Sequence, residues 1–200
     1  MELVFVRHAL PVRVDAAEGA ADPGLAPGGR DQARRVAAFL ADEPVEALYT
    51  SPQRRATETG QPLGDRLGLE LMPEDGLAEF DPEATSYVPV EELKAAGDLR
   101  YDRLVRGDLY APEVDPVAFR ARVVAAVEHI VDTHPGGRAV LFSHAGAINA
   151  YAGHVLGQQR SIWFAPAYTS LTRVVAARDG RRGVRSLNET GHVRDLLAPA

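Results

Sequence analysis

Apolar and polar positions alternate along the first third of this chain in blocks that predict strands followed by helices. Residues 3–6 form a short apolar run, typical of a buried parallel strand. A loop rich in Asp, Ala, Gly and Pro is predicted over 11–29, and residues 30–41 then place apolar side chains at helical spacing. Residues 45–50 and 69–72 predict a second and a third short strand. The predicted order is therefore a strand, a helix and two further strands.

A helix is predicted between the second and third strands. Ser51 is an N-cap residue and Pro52 fits the first helical position, so we expect the helix to begin there. It should continue to about Leu67, where Gly68 would end it.

The second half of the chain returns to regular patterns after an irregular stretch. Asp115 and Pro116 predict a helix start, and the helix should end before Pro135. Its apolar face consists of Phe119, Val123, Val127 and Ile130. The remaining predicted elements are a strand ending at His144, a helix over about 147–156, and strands near 170–177 and 183–187 joined by a turn at 178–181.

Alternating strands and helices predict an α/β protein, a three-layer α/β/α sandwich around a mostly parallel central sheet. We expect one domain over residues 1–200, because no linker or internal repeat divides the chain. Residues 73–112 lose clean periodicity and gather proline, acidic residues and tyrosine, although helical turns fit within 90–109. We interpret this stretch as an insertion that covers the functional edge of the sheet.

Composition narrows the possible functions. The chain has 200 residues, is 46% hydrophobic and carries a formal net charge of −6, which disfavours a nucleic-acid-binding surface. It contains no cysteine, which excludes disulfides, thiolate nucleophiles and cysteine metal sites. Lys94 is the only lysine, so a Walker P-loop and a Schiff-base lysine are both disfavoured.

The first apolar run is too short for a signal peptide or a membrane span, and no basic leader precedes it. We therefore expect a cytoplasmic protein with no membrane partner. The sequence does not predict an oligomeric state.

Two histidines stand directly after predicted strands, in sequences that resemble each other. His8 follows Arg7 after the first strand, and His144 follows Ser143 after the strand near residue 140. Ligands bind at the carboxyl ends of strands in open α/β sheets. If the two strands are neighbours, both imidazoles face one pocket beside Arg7, which predicts a site for an anion.

Further candidate residues follow the second and third strands. Arg54 and Arg55 lie in the first turn of the helix predicted from Ser51, where free backbone N–H groups and the guanidinium donors favour phosphate. Glu79 lies between apolar residues just after a short strand.

Together these segments resemble the histidine phosphatase superfamily, the phosphoglycerate mutase-like family, over essentially the whole chain. The matching motifs are Arg7-His8-Ala9, Ser51-Pro52-Gln53-Arg54-Arg55-Ala56, Leu77-Ala78-Glu79 and Ser143-His144-Ala145-Gly146. Residues 22–27 and 188–192 resemble secondary segments of the family. The chain departs from the family in having Ala9-Leu10-Pro11 where glycine and then Glu or Gln are common, and in lacking the Gly-x-Trp-Glu-Gly segment after the acid.

The resemblance implies a metal-independent phosphatase that needs no cofactor. It makes His8 the nucleophile that accepts the phosphoryl group, and Glu79 the general acid for the leaving group. It makes Arg7, Arg55 and His144 the phosphate-binding residues, with Arg54 a bystander. We expect a protonated His144, a neutral His8 because nearby positive charge lowers its pKa, and a pKa of Glu79 near the working pH.

The substrate implied is a small phosphorylated metabolite, whose identity the sequence leaves open among sugar phosphates, phosphoglycerate derivatives, nucleotides and phosphoproteins. Candidate residues for the rest of the substrate are Arg13, Tyr87 and Tyr101, with Arg100, Arg103, Arg106, Trp163 and Phe164 as further rim positions.

Four alternatives were weighed against hydrolysis. A phosphoglycerate mutase-type phosphotransferase and a non-catalytic phospho-ligand-binding member of the same fold remain open. A serine hydrolase is disfavoured, because Gly-x-Ser-x-Gly does not occur. A histidine metal site is also disfavoured, since His129, His134, His154 and His192 lack recognisable ligand spacing.

Overall fold

A computed structural model describes residues 1–15, 18–109 and 114–197, and six strands within them form one sheet. The strands are β1 (Glu2–Arg7), β2 (Ala47–Thr50), β3 (Leu71–Pro73), β4 (Arg138–Ser143), β5 (Leu171–Ala176) and β6 (Arg182–Glu189).

The sheet order is β3-β2-β4-β1-β5-β6. Strands β1 to β4 are mutually parallel, whereas β5 pairs antiparallel with β1 and with β6. The register pairs Arg7 of β1 with Ser143 of β4. The two strands that precede His8 and His144 are therefore neighbours in the sheet, which is the condition on which the predicted histidine pair depends.

Six helices lie along the described chain, with two short 3₁₀ helices at Asp75–Leu77 and Arg194–Leu196. The six are α1 (Pro27–Leu40), α2 (Arg54–Leu67), α3 (Val90–Ala96), α4 (Leu99–Arg106), α5 (Pro116–Thr133) and α6 (Ala145–Leu156).

Helices cover both faces of the sheet because successive side chains of a strand point to opposite sides. Leu3 and Phe5 of β1 belong to a buried cluster with residues of α5 and α6. Val4 and Val6 belong to a second cluster with residues of α1 and α2. This arrangement confirms the predicted three-layer α/β/α sandwich with a mostly parallel sheet.

Several predicted boundaries are wrong at helix starts. Helix α1 begins at Pro27, three residues before the predicted start, because the proline occupies an N-terminal helical position and the glycines after it continue the helix. Helix α2 begins at Arg54, not at Ser51. Asp22 Oδ1 accepts from the Arg54 amide N–H over 2.8 Å, so a residue far away in sequence caps this helix.

Within the segment predicted as an insertion, the helical turns expected over 90–109 are the two helices α3 and α4. The segment contacts the amino-terminal loop, where Val14 and Tyr87 form an antiparallel bridge. Tyr110 and Pro112, at the end of the predicted insertion, lie outside the described residues.

Among the described residues, no helix is both long enough and apolar enough to cross a membrane.

Candidate active site

Strands β1 and β4 bring the two histidines together at the carboxyl edge of the sheet. The ring centroids of His8 and His144 are 5.1 Å apart, and both side chains are buried. The backbone continues the sheet past the strand ends, since the His8 amide N–H donates to the Ser143 carbonyl over 2.8 Å. The predicted histidine pair is therefore one compact site.

One ring nitrogen of His8 has a defined partner. Nδ1 lies 2.9 Å from the Ala9 carbonyl oxygen, which can only accept, so Nδ1 carries a proton and donates it. Burial, then the positive charges of Arg55 and Arg7, lower the pKa of His8 well below its ordinary value. The ring is consequently neutral at pH 7, and its Nε2 keeps a lone pair.

His144 is held by the loop that precedes α2. Its Nε2 lies 2.8 Å from Ser51 Oγ, and that oxygen also accepts from the Gln53 amide N–H over 3.2 Å. The Ser51 hydroxyl can donate to Nε2, and in that tautomer the imidazole proton of His144 is on Nδ1. Nδ1 has no partner in the described part of the chain.

The expectation that His144 is protonated is wrong for this structure. Burial first, then Arg55, His8 and Arg7, lower the pKa of His144 well below its ordinary value. A buried imidazole beside two guanidinium groups loses solvation on protonation and gains repulsion, so the neutral form prevails at pH 7. In the tautomer with the proton on Nδ1, His144 offers a neutral donor rather than a third cation.

Two buried guanidinium groups lie against tyrosine rings in the same site. Arg7 Cζ lies 3.9 Å from the ring centroid of Tyr168, and Arg55 Cζ lies 4.8 Å from that of Tyr87. The Arg7 side chain also donates from Nη1 to the Pro166 carbonyl over 2.8 Å. Stacking and this bond orient the planar groups without neutralising their charge.

Several N–H donors of these arginines have no partner among the described residues. They are Nε of Arg7, and Nε and Nη1 of Arg55, all buried from solvent. Buried polar groups are nearly always hydrogen-bonded, and buried charges are nearly always paired. Unmatched cationic donors beside a neutral imidazole pair therefore favour the binding of an anion with several oxygen acceptors.

Glu79 contributes the carboxyl group of the site. Burial, then the nearby Asp81, raises its pKa to about 7, although hydrogen bonds from the backbone N–H groups of Gly146 and Phe80 act in the opposite direction. Those bonds are 3.1 and 3.2 Å long. A carboxyl group with this pKa can both donate and accept a proton near neutral pH.

Two side chains position the backbone around Glu79. Gln53 Oε1 accepts from the Glu79 amide N–H over 2.9 Å. Arg122 of α5 donates to the carbonyls of Asp75, Ala78 and Glu79 over 2.8, 3.0 and 3.2 Å. The short segment after β3 thereby holds the carboxyl group at the start of α6.

A cavity of about 330 Å³ extends from this cluster toward α3 and α4. Tyr87 and Tyr101 line it, as do Trp163 and Phe164. Arg13 is not among the lining residues: its exposed guanidinium pairs with Asp15 and Glu92.

Arg54, predicted to be a bystander, is exposed and pairs with Glu58 over 2.6 Å. The structure thus separates the two consecutive arginines, since Arg55 lies in the buried cluster. In the described ranges, no group of three or more histidine, aspartate or glutamate side chains is placed to hold a metal ion.

The sequence patterns do not indicate Tyr168, and they indicate no role in the site for Ser51, Gln53 or Arg122. Tyr168 lies in a loop before β5 with no motif around it, and only the tertiary fold brings its ring to Arg7. Ser51 does stand out in the sequence, but as a predicted helix cap and not as a partner of His144.

Comparison with known proteins shows what this chain is similar to. The family model described as "Histidine phosphatase superfamily (branch 1)" matches residues 3–190. Phosphoserine phosphatase 1 of Hydrogenobacter thermophilus is 26% identical over 212 residues, covering 100% of this chain and 98% of that protein. Phosphoglycerate mutase-like protein 4 of Arabidopsis thaliana is 30% identical over 161 residues, covering 74% of this chain and 68% of that protein.

Among solved structures, the complex of a mycobacterial glucosyl-3-phosphoglycerate phosphatase with inorganic phosphate superposes with a TM-score of 0.75. It is 25% identical in sequence, and the match covers 96% of this chain and 99% of that one. The matches to the Hydrogenobacter protein and to the mycobacterial structure cover nearly the full length of both chains.

Proposed function

Since this chain belongs to the histidine phosphatase superfamily, we propose that it hydrolyses a small phosphomonoester through a phosphohistidine on His8. The proposal requires no metal ion and no cofactor. The observation that carries it is the neutral His8 imidazole beside the unmatched, buried N–H donors of Arg7 and Arg55. Phosphoryl transfer needs a nucleophile with a free lone pair and hydrogen-bond donors already positioned around the phosphate.

In the first step, His8 Nε2 attacks the phosphorus atom. A P–N bond forms while the bond between phosphorus and the ester oxygen breaks. Arg7, Arg55 and the Nδ1–H of His144 donate to the non-bridging oxygens, where negative charge must be held in the transition state. The protonated form of Glu79 gives its proton to the departing oxygen, so the product leaves as an alcohol.

In the second step, the ionised Glu79 takes a proton from a water molecule as the water oxygen attacks phosphorus. The P–N bond breaks, His8 Nε2 recovers its lone pair, and inorganic phosphate is released. Glu79 ends the cycle protonated, as it began. Its pKa of about 7 suits both roles, because each form is well populated near neutral pH.

The Nδ1 bond of His8 to Ala9 supports the assignment of Nε2 as the attacking atom. The carbonyl oxygen accepts a hydrogen bond from Nδ1–H. This bond stabilises the positive charge that the ring gains when it carries the phosphoryl group. We also propose that residues 1–200 act as one domain and that the segment carrying α3 and α4 forms the substrate-binding wall.

A phosphotransferase of the mutase type is the second candidate, favoured by the similarity to the Arabidopsis phosphoglycerate mutase-like protein. The two are separated by incubating the protein with 3-phosphoglycerate. A mutase forms a phosphoglycerate isomer with no net phosphate release, whereas a hydrolase releases inorganic phosphate.

The proposal is tested by measuring p-nitrophenyl phosphate hydrolysis in excess EDTA from pH 5 to pH 8. We expect turnover in the wild-type protein and none in His8→Ala, with both proteins folded by circular dichroism. Turnover that persists in His8→Ala would rule out the phosphohistidine route. A folded wild-type protein that binds phosphate without turnover would favour the non-catalytic member of the fold.

A further inference from the structure

The cavity beyond the phosphate cluster is lined by apolar residues from two parts of the chain. Residues of α3 and α4 form one wall, which consists of Val90, Leu93, Leu104 and Val105. The second wall consists of Ile162, Trp163 and Phe164, and it adjoins the end of α4, where the Ile162 amide N–H donates to the Gly107 carbonyl over 3.1 Å. The group esterified to phosphate would lie against these apolar residues.

Polar atoms of the second wall are already engaged with the protein. The Trp163 indole N–H donates to the Asn149 carbonyl over 3.1 Å. Asn149 Oδ1 accepts from the backbone N–H groups of Trp163 and Phe164 over 2.9 and 3.1 Å. The two rings, 4.5 Å apart, are therefore fixed in place and present carbon surface to the cavity.

The two tyrosines that border the arginines are also engaged. The Tyr168 hydroxyl donates to Glu91 Oε2 over 3.1 Å, and it is hydrogen-bonded to the Tyr87 hydroxyl. These hydroxyl groups hold the start of α3 against the phosphate cluster. The Tyr87 ring lines the cavity, whereas Tyr168 is buried and is not among the lining residues.

Charged groups in the distal cavity do not match a substrate that carries a carboxylate. Among the described lining residues outside the phosphate cluster and Glu79, the charged side chains are Asp81 and Arg160. Asp81 lies two residues from Glu79 and is itself acidic, while Arg160 is exposed. Specific recognition of a small acidic group normally uses a buried cationic partner.

Helix α4 exposes apolar surface toward this cavity. None of its residues is buried, and Val105 is 65% exposed although it lines the cavity. A ligand with an apolar body would cover such a surface, and the gain would grow with the area removed from water.

We infer that the substrate of this site is a phosphomonoester whose esterified group is an apolar aliphatic or aromatic body, held against α4 and the Trp163–Phe164 wall. The inference rests on the proposed function for the position of the phosphate. It narrows the substrate class from small phosphorylated metabolites in general to amphiphilic phosphate esters. Small acidic esters such as phosphoserine would be poorer ligands.

Non-hydrolysable phosphonates test the inference independently of catalysis. We expect the dissociation constant, measured by calorimetry, to be at least about tenfold lower for hexylphosphonate than for ethylphosphonate, because the longer chain buries more apolar surface. 2-Amino-4-phosphonobutyrate, an analogue of phosphoserine, should bind more weakly than hexylphosphonate.

Variants locate the effect. Val105→Asn should abolish most of the preference for the hexyl chain while leaving ethylphosphonate binding nearly unchanged. Val117→Asn is the matched control, because Val117 is 75% exposed on α5 and does not line the cavity. It should keep the wild-type preference.

The inference is overturned if the two alkylphosphonates bind within about twofold of each other, or if Val117→Asn removes the preference as fully as Val105→Asn. It is also overturned if the phosphoserine analogue binds more tightly than hexylphosphonate and Arg160→Ala removes that advantage. Failure of the proposed function has a different signature: tight hexylphosphonate binding without phosphate release from hexyl phosphate.

Discussion

Glu79 and Gly146 are in direct contact, since the amide N–H of Gly146 in the first turn of α6 donates to Glu79 Oε2 over 3.1 Å. A Cβ atom at position 146 would overlap Glu79 Oε1 and would lie 2.8 Å from Phe80 Cδ1. Glycine is therefore required here by the carboxyl group itself. The helix terminus stabilises the carboxylate, burial opposes it, and the balance sets its pKa near 7.

Gly146→Ala should displace Glu79 and lower kcat/KM for an alkyl phosphate by about 10²-fold, because a general acid misplaced by about 1 Å loses its proton-transfer geometry. Gly28→Ala is the control, since a Cβ atom at that helical glycine meets nothing within 4 Å. Steady-state kinetics on both variants check the prediction. Equal activity in Gly146→Ala and wild type would show that Glu79 tolerates displacement.

Arg55→Ala should lower kcat by about 10²-fold to 10³-fold, the usual cost of removing one charge-stabilising donor. Arg54→Ala should change kcat by less than about twofold, because the adjacent side chain is exposed and its pair with Glu58 contributes little. Arg54→Ala is a matched control, because both positions hold arginine in the same turn of one helix. A comparable loss in both variants would contradict the placement of the phosphate at Arg55.

Glu79→Gln should affect substrates according to their leaving groups. Loss of the acid should lower kcat/KM by about 10²-fold to 10⁴-fold for hexyl phosphate, and far less for p-nitrophenyl phosphate, whose leaving group needs no proton. The protonated form decreases above pH 7, so the ratio of hexyl to p-nitrophenyl activity in wild type should fall as pH rises from 6 to 9. In Glu79→Gln this ratio should be independent of pH.

The same carboxyl group should make folding stability depend on pH. Its pKa rises from the ordinary 4.5 to about 7 on folding, so its contribution to stability is fully present below pH 4.5 and is lost as pH rises toward 7. Glu79→Gln has no such loss, and its free energy of unfolding relative to wild type should increase by about 1–3 kcal/mol from pH 5 to pH 8. Urea denaturation at both pH values measures the change. A relative stability that stays constant would contradict the raised pKa.

Local sequence patterns predicted the elements that carry the two histidines. The apolar runs before His8 and His144 have the composition of buried parallel strands, and the structure pairs β1 with β4. A continuous apolar run is enough to predict these strands, because helices cover both of their faces.

The predicted start of helix α2 is wrong because residues distant in the sequence determine it. Helix α2 begins at Arg54 because Asp22 caps it, and Ser51 serves His144 instead of starting the helix. Neither contact is visible in a local window of sequence. Tyr168 was missed for the same reason, since its stacking on Arg7 depends on the antiparallel strand β5 joining the sheet beside β1.

The protonation state of His144 was also mispredicted. A guanidinium pair attracts a phosphate, but in the absence of the anion it repels a third positive charge within the same buried cluster. Sequence patterns indicate which residues meet, whereas the pKa depends on how deeply and how closely they are packed.

The most direct test of the account is to trap the covalent intermediate. Wild-type protein and His8→Ala are mixed with radiolabelled substrate in EDTA, quenched in alkali, which preserves phosphohistidine, and digested for mass spectrometry. The account predicts an acid-labile, alkali-stable phosphoryl group on the peptide that contains His8, absent from His8→Ala. Substrate turnover with no labelled protein at any quench time, or a label on another residue, would contradict it.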